Sequence, residues 1–173
     1  RVMHLLEMAQ AREAAGHDVI HLEVGEPDFA TPAPIVAAGQ QALAEGRTRY
    51  TPAAGLASLR EAIAGHYAEH FNATVDPARI LVTPGASGAL LLASQLLVES
   101  GDRVLMADPN YPCNRHFMAL AGAEVDAVPV GRDTGWQLTA PLIEQHWQAK
   151  TRLAMLASPS NPTGHTLEAP ALT

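Results

Sequence analysis

From Arg79 to Ala157 the chain repeats one rhythm: a short apolar run, a turn marked by glycine or proline, then a stretch with helical spacing. The strands read as Arg79 to Thr83, Arg103 to Ala107, Glu124 to Val130 and Arg152 to Ala157. Between them the helices read as Ala86 to Glu99, Tyr111 to Ala121 and Thr139 to Ala149. Helices of that length let strands pair in parallel through right-handed crossovers. The predicted fold class is therefore α/β, three-layered, with a mostly parallel sheet flanked by helices. Ligands of such sheets lie outside the carboxyl ends of the strands, so function is sought there.

Upstream the pattern is different. Apolar residues at Val2, Leu5, Leu6 and Ala9 predict a first helix, closed by Gly16 at its C′ position. His17 to Val24 alternates and reads as a short strand, and Gly25, Pro27 and Asp28 then force a loop. Thr31 as N-cap, Pro32 in the first turn and an alanine-rich run to Glu45 and Gly46 predict a second helix. A third opens after Gly55 with Leu56, Leu59, Ile63, Tyr67 and Phe71 as its inner face. One soft boundary falls near Gly46, separating residues 1–46 from 47–173.

Charge and cysteine content remove several classes of function. Lys plus Arg number 11 against 18 Asp plus Glu, a net charge of -7, so no basic stripe awaits a nucleic acid or an anionic membrane. The apolar stretch from Ala89 to Val98 is too short to span a bilayer and is broken by Ser94 and Gln95; the first residues read as an amphipathic helix rather than a signal peptide. A cytoplasmic location is the expectation. Cys113 is the one cysteine, which rules out an internal disulfide and a cysteine metal cage; as a lone thiol it reads as a small buried hydrophobe. His17 and His21, four apart on a strand, stand about 13 Å from each other, too far to share a metal. No metal is expected.

Three strand ends carry chemistry. The first runs through Thr83-Pro84-Gly85-Ala86-Ser87-Gly88 into a helix, where glycines permit close approach, free N–H groups point outward and Ser87 adds a hydroxyl. That suits a phosphate monoester, although a helix start that merely needs small residues has the same letters. No Gly-Lys-Ser/Thr follows, so it is not a nucleotide P-loop. The second ends in Asp108-Pro109-Asn110-Tyr111-Pro112, an aromatic ring between stiffening prolines, suited to lie on a flat heteroaromatic or to cap the core edge. The last ends in Ser158-Pro159-Ser160-Asn161-Pro162-Thr163-Gly164, where prolines and a glycine hold the amide of Asn161 toward one point.

With Gly25-Glu26-Pro27-Asp28-Phe29 and Tyr50-Thr51-Pro52-Ala53-Ala54-Gly55 followed by Leu59-Arg60, these runs resemble the class I and II aminotransferases of the pyridoxal-phosphate fold type I, in order and spacing. The resemblance implies an incomplete large domain from residue 47, with residues 1–46 contributing to the small domain and a dimer contact. It implies pyridoxal 5'-phosphate as cofactor, with Gly85, Ala86 and Ser87 at its phosphate, Tyr111 stacked on its ring and Asn161 donating to its phenolic oxygen. Tyr50 matches the tyrosine that reaches a partner subunit's cofactor phosphate in a homodimer, and Gly25 the glycine beside the substrate carboxylate. Amino acids and 2-oxo acids are the implied substrates. Related β-lyases, decarboxylases and synthases share the cradle, as does a pyridoxal-phosphate-binding regulator joined to a DNA-binding domain, and a piece that only dimerises is a third class.

The chemistry of this family needs a lysine amine. Lys150 is the one lysine, and it precedes the strand at Arg152. A strand of that length puts it about 20 Å from the end that carries Asn161. The family's Schiff-base lysine, its aspartate on the pyridine nitrogen and its carboxylate-binding arginine are expected beyond Thr173. The chain alone is expected to be inactive.

Overall fold

A computed structural model describes residues 2–172, in two units, Arg1–Thr51 and Pro52–Thr173. In the first unit, helix α1 (Val2–Ala14) ends in a Schellman motif: Gly16, at φ 86°, donates to the Glu13 carbonyl at 2.8 Å and His17 to that of Arg12 at 3.1 Å. Helix α2 (Ala33–Ala44) ends the same way at Gly46. Its start departs from expectation. The N-cap is Pro32, not Thr31, because the carbonyl of Pro32 already accepts from Ile35 and Val36 and Thr31 lies one residue outside the turn.

The strand expected at His17 to Val24 is not formed. A strand needs a ladder partner, and none of the described residues supplies one; Ile20 and Leu22 are 83% and 90% exposed. The segment is tied instead by His21, whose ring meets Glu13 at 3.0 Å and Glu23 at 2.6 Å. The hydrogen bond to Glu23, then that to Glu13, raises the His21 pKa above 6.5, and Glu23 is lowered in return.

The second unit opens with helix α3 (Ala57–Phe71). Of its five predicted inner-face residues only Ile63 is half-buried, while Leu56, Leu59, Tyr67 and Phe71 are exposed. The strand expected at Arg79 to Thr83 is also corrected. Asp76 caps a 3-10 turn at Pro77–Arg79 by accepting from the Ala78 N–H at 2.8 Å, which removes Arg79 from any ladder. Residues 80–83 run on without a partner strand among the described residues, apart from the Val82 N–H, which donates to Ala54 at 3.1 Å.

Helix α4 (Gly85–Leu97), strand β1 (Arg103–Asp108), helix α5 (Pro112–Leu120), strand β2 (Glu124–Pro129), helix α6 (Ala140–His146) and strand β3 (Thr151–Met155) then follow the predicted rhythm. All three strands are parallel, in the order β2-β1-β3. The chain steps from β1 to β2, then crosses back to the far side of β1, and crossovers of one hand put the connecting helices on opposite faces. Packing agrees. Val104 and Met106 meet Val98 and Met118 on one face, while Leu105 and Val128 meet Leu138, Leu142 and Ile143 on the other. Central β1 is therefore buried on both faces, with Val104, Leu105 and Met106 at most 1% exposed. Each such side chain contributes about 1.5–3 kcal/mol.

At the amino edge Arg103 reaches both carboxylate oxygens of Asp126 and, at 2.5 Å, that of Glu124. This fork clamps β1 to β2 and holds the Asp126 carboxyl below its usual range, chiefly through the Arg103 hydrogen bonds. Among the described residues no helix is long and apolar enough to cross a membrane.

Candidate functional site

The carboxyl edge of the sheet gathers three loops. In the first, Gly85 donates to the Thr83 carbonyl at 2.8 Å around Pro84 (φ -70°, ψ 83°), an inverse γ-turn that throws extended chain into α4. The Thr83 hydroxyl donates to the Gly85 carbonyl at 2.9 Å. Gly85 sits at φ 72°, and at Gly88 a Cβ would stand 3.1 Å from Pro84 Cδ, so small residues are required by the turn itself. Among the described residues no side chain caps α4. The N–H groups of Ala86 and Ser87, in its first turn, therefore have no helical acceptor and face outward at the positive end of the helix.

Tyr111 is the N-cap residue of α5 and is half-buried. The Cys113 thiol and the Ser87 side chain are neighbours of its hydroxyl. The neighbouring Cys113 side chain is the main cause that raises the phenol above its usual value, burial adds to it, and Ser87 opposes it. Cys113 is half-buried rather than buried, and it neighbours Tyr111.

The third loop follows β3. Ser160, 8% exposed, donates from its N–H to the His165 carbonyl at 2.8 Å and accepts from Gly164 at 2.7 Å, closing a compact turn that carries Asn161. Asn161 and Tyr111 line one recess of about 50 Å³ together with Ala107, Asn110, Asn114 and Ser160. Tyr111 shares the recess with Asn161, and Ser87 is a neighbour of the Tyr111 hydroxyl outside its lining. Tyr111 and Asn161, far apart in the sequence, thus line one recess. Gly25 and Tyr50 belong to the first unit: a Cβ on Gly25 meets nothing within 4 Å, and Tyr50 is fully exposed.

Two residues at this edge escaped sequence reasoning. Asn114 is buried on α5, donates to the Asn110 side chain at 3.2 Å and has a buried Oδ1 with no partner among the described residues. Gln137, 6% exposed, donates to the carbonyls of Ala157 and His165. Nothing in the letters marks either one, because an asparagine on a helix and a glutamine after a turn read as surface. Lys150 is exposed at the start of β3, where its carbonyl accepts from the Arg103 N–H at 2.8 Å, the opposite edge from Asn161.

The donor set suits a phosphate monoester joined to a flat ring. Two N–H groups and a hydroxyl could face an anion, an aromatic ring could offer stacking, and an amide and a buried acceptor could meet polar atoms on a ring's rim.

Residues 17–173 match the family profile described as aminotransferase class I and II. The chain is 40% identical over 167 residues to the (5-formylfuran-3-yl)methyl phosphate transaminase of Methanocaldococcus jannaschii, covering 96% of this chain and 43% of that protein. It is 37% identical over 163 residues to the valine--pyruvate aminotransferase of Mycobacterium tuberculosis, covering 94% and 42% respectively. A crystal structure of an aminotransferase from Mycobacterium tuberculosis superposes with a TM-score of 0.92 at 36% identity, over 99% of this chain and 44% of that one. The chain spans less than half the length of the relatives it matches.

Proposed function

The chain belongs to the class I and II aminotransferases, and from that membership we propose that its carboxyl-edge crevice seats pyridoxal 5'-phosphate in a protein that moves an amino group from an amino acid to a 2-oxo acid. Members of that family generally depend on pyridoxal phosphate. The observation that carries the reading is the meeting of Ser87, Tyr111 and Asn161 at one edge.

The cofactor, when bound, supplies an electron sink for the bond broken at the amino acid's α-carbon. The chain's own residues bind and orient. The N–H groups of Ala86 and Ser87 and the Ser87 hydroxyl hold a dianionic phosphate, with Gly85 giving the turn that exposes them. Tyr111 presents its ring as a stacking surface, a contact worth about 0.5–1.5 kcal/mol beyond area burial. Asn161 donates its amide to an anionic ring oxygen, a charge-assisted bond of about 1.5–3 kcal/mol. Gly25 leaves room for a substrate carboxylate. Tyr50, which is fully exposed, serves the phosphate of a partner subunit in a homodimer.

Lys150 lies at the wrong edge, so residues 1–173 supply a seat and not the amine. By itself this chain does not transaminate. The test is to titrate the intact protein bearing this sequence with pyridoxal phosphate, following visible absorbance, and then to assay it with a panel of amino acids and 2-oxo acids. Saturable binding and amino transfer are expected. Absence of binding, or transfer by residues 1–173 alone, contradicts the reading.

A further inference from the structure

The loop that carries Asn161 does not hold itself. Gln137 lies across its base, and its Nε2 donates at 3.2 Å to the carbonyl of Ala157, where β3 has just ended, and at 2.9 Å to that of His165, where the loop returns. Both amide protons are thereby used. The His165 carbonyl accepts a second bond from Ser160, next to Asn161, so Gln137 and the turn share one anchor.

The chain works to deliver this side chain. The Gly131 carbonyl accepts from the Thr134 N–H at 3.1 Å, the Thr134 hydroxyl at 3.0 Å and the Trp136 N–H at 2.8 Å. That tight knot forces Gly135 to φ 60° and Trp136 to φ 57°. A bulky non-glycine residue in the left-handed region is strained and persists only when its surroundings over-determine it. The result is that Gln137 points inward beside Leu138, itself 2% exposed in the core.

We propose that Gln137 is a positioning residue for Asn161: its amide staples the two ends of the Ser158–His165 loop and so fixes the Asn161 side chain toward the cofactor's ring oxygen. This rests on the cofactor reading above, although the staple itself does not.

The test uses the intact protein in four forms: unchanged, Gln137→Met, Asn161→Ala and the double variant. Two quantities are read, the dissociation constant of pyridoxal phosphate on reconstitution of the apoprotein and the hydrogen exchange of the Ser160 and Gly164 amides. Gln137→Met keeps the length of the side chain but donates nothing. Exchange at both amides is expected to speed up at least about tenfold, and cofactor affinity to fall about tenfold, the loss of one well-aimed charge-assisted bond. The double variant is expected to bind no worse than Asn161→Ala, because Gln137 acts through that residue. Unchanged exchange, unchanged affinity, or losses that simply add would each overturn the proposal. Should Gln137→Met not fold, Gln137→Asn keeps the amide but falls one methylene short, with the same expected loss of protection. If the unchanged protein binds no cofactor, the functional reading fails, and exchange at Ser160 and Gly164 still decides whether the staple exists.

Discussion

Gly55 packs against Val82, in the segment that leads into the turn at Thr83 and Gly85. It sits at φ 93°, and a Cβ built there would stand 2.7 Å from both Cβ and Cγ2 of Val82, the residue that leads into Thr83. Gly55→Ala therefore carries two separable costs: about 1–2 kcal/mol for left-handed backbone at a residue with a side chain, and about 1–3 kcal/mol for forced overpacking. A loss of about 2–5 kcal/mol is expected, read as a shift of the urea midpoint at unchanged slope in the intact protein. The two parts separate in a double-mutant cycle. Val82→Gly in the Gly55→Ala background removes both clashing atoms and should recover the steric share, a favourable coupling of about 1–3 kcal/mol, while the backbone share stays. Val82→Ala leaves the Cβ contact and should recover less. A Gly55→Ala variant within about 0.5 kcal/mol of the parent, the scatter of ordinary surface changes, or strict additivity in the cycle would refute this reasoning.

Other expectations follow from the same geometry. Leu105→Ala should cost about 2–5 kcal/mol in denaturant unfolding, since Leu105 is fully buried in the central strand. Tyr111→Phe keeps the ring and removes the hydroxyl beside Cys113 and Ser87, so pyridoxal phosphate affinity should change by less than about threefold, while Tyr111→Ala should lose about tenfold, as measured by absorbance titration. Asp126 is depressed below 3.8 by Arg103, so its contribution is fully present above that value and is lost as pH falls through the folded one; acid unfolding of Asp126→Asn should lack that component. His21 is raised above 6.5, so its tie to Glu23 and Glu13 is present below 6.5 and is lost as pH climbs through the higher value, which an NMR titration of the His21 ring will read.

The parts of the fold that local chemistry decides were legible. The helices α4, α5 and α6 and the three strands emerge because apolar runs of strand length alternate with helical spacing, and Gly16 and Gly46 end their helices as their C′ positions dictate. The segments that failed depend on partners elsewhere. His17 to Val24 and Arg79 to Thr83 have strand-like letters but no ladder among the described residues, and the apolar stripe of α3 has little to cover it. At the candidate site, the loops that carry Ser87, Tyr111 and Asn161 were legible because glycine and proline mark them. Gln137 and Asn114 were missed because their importance comes from burial, which a single polar letter does not announce.

The most direct test of the central claim is a crystal structure of the intact protein with pyridoxal phosphate bound. The phosphate is expected about 3 Å from the N–H groups of Ala86 and Ser87, with the ring lying on Tyr111 and the Asn161 amide within hydrogen-bond reach of a ring oxygen. A cofactor seated away from these three residues, with Ser87, Tyr111 and Asn161 facing only solvent, would contradict it.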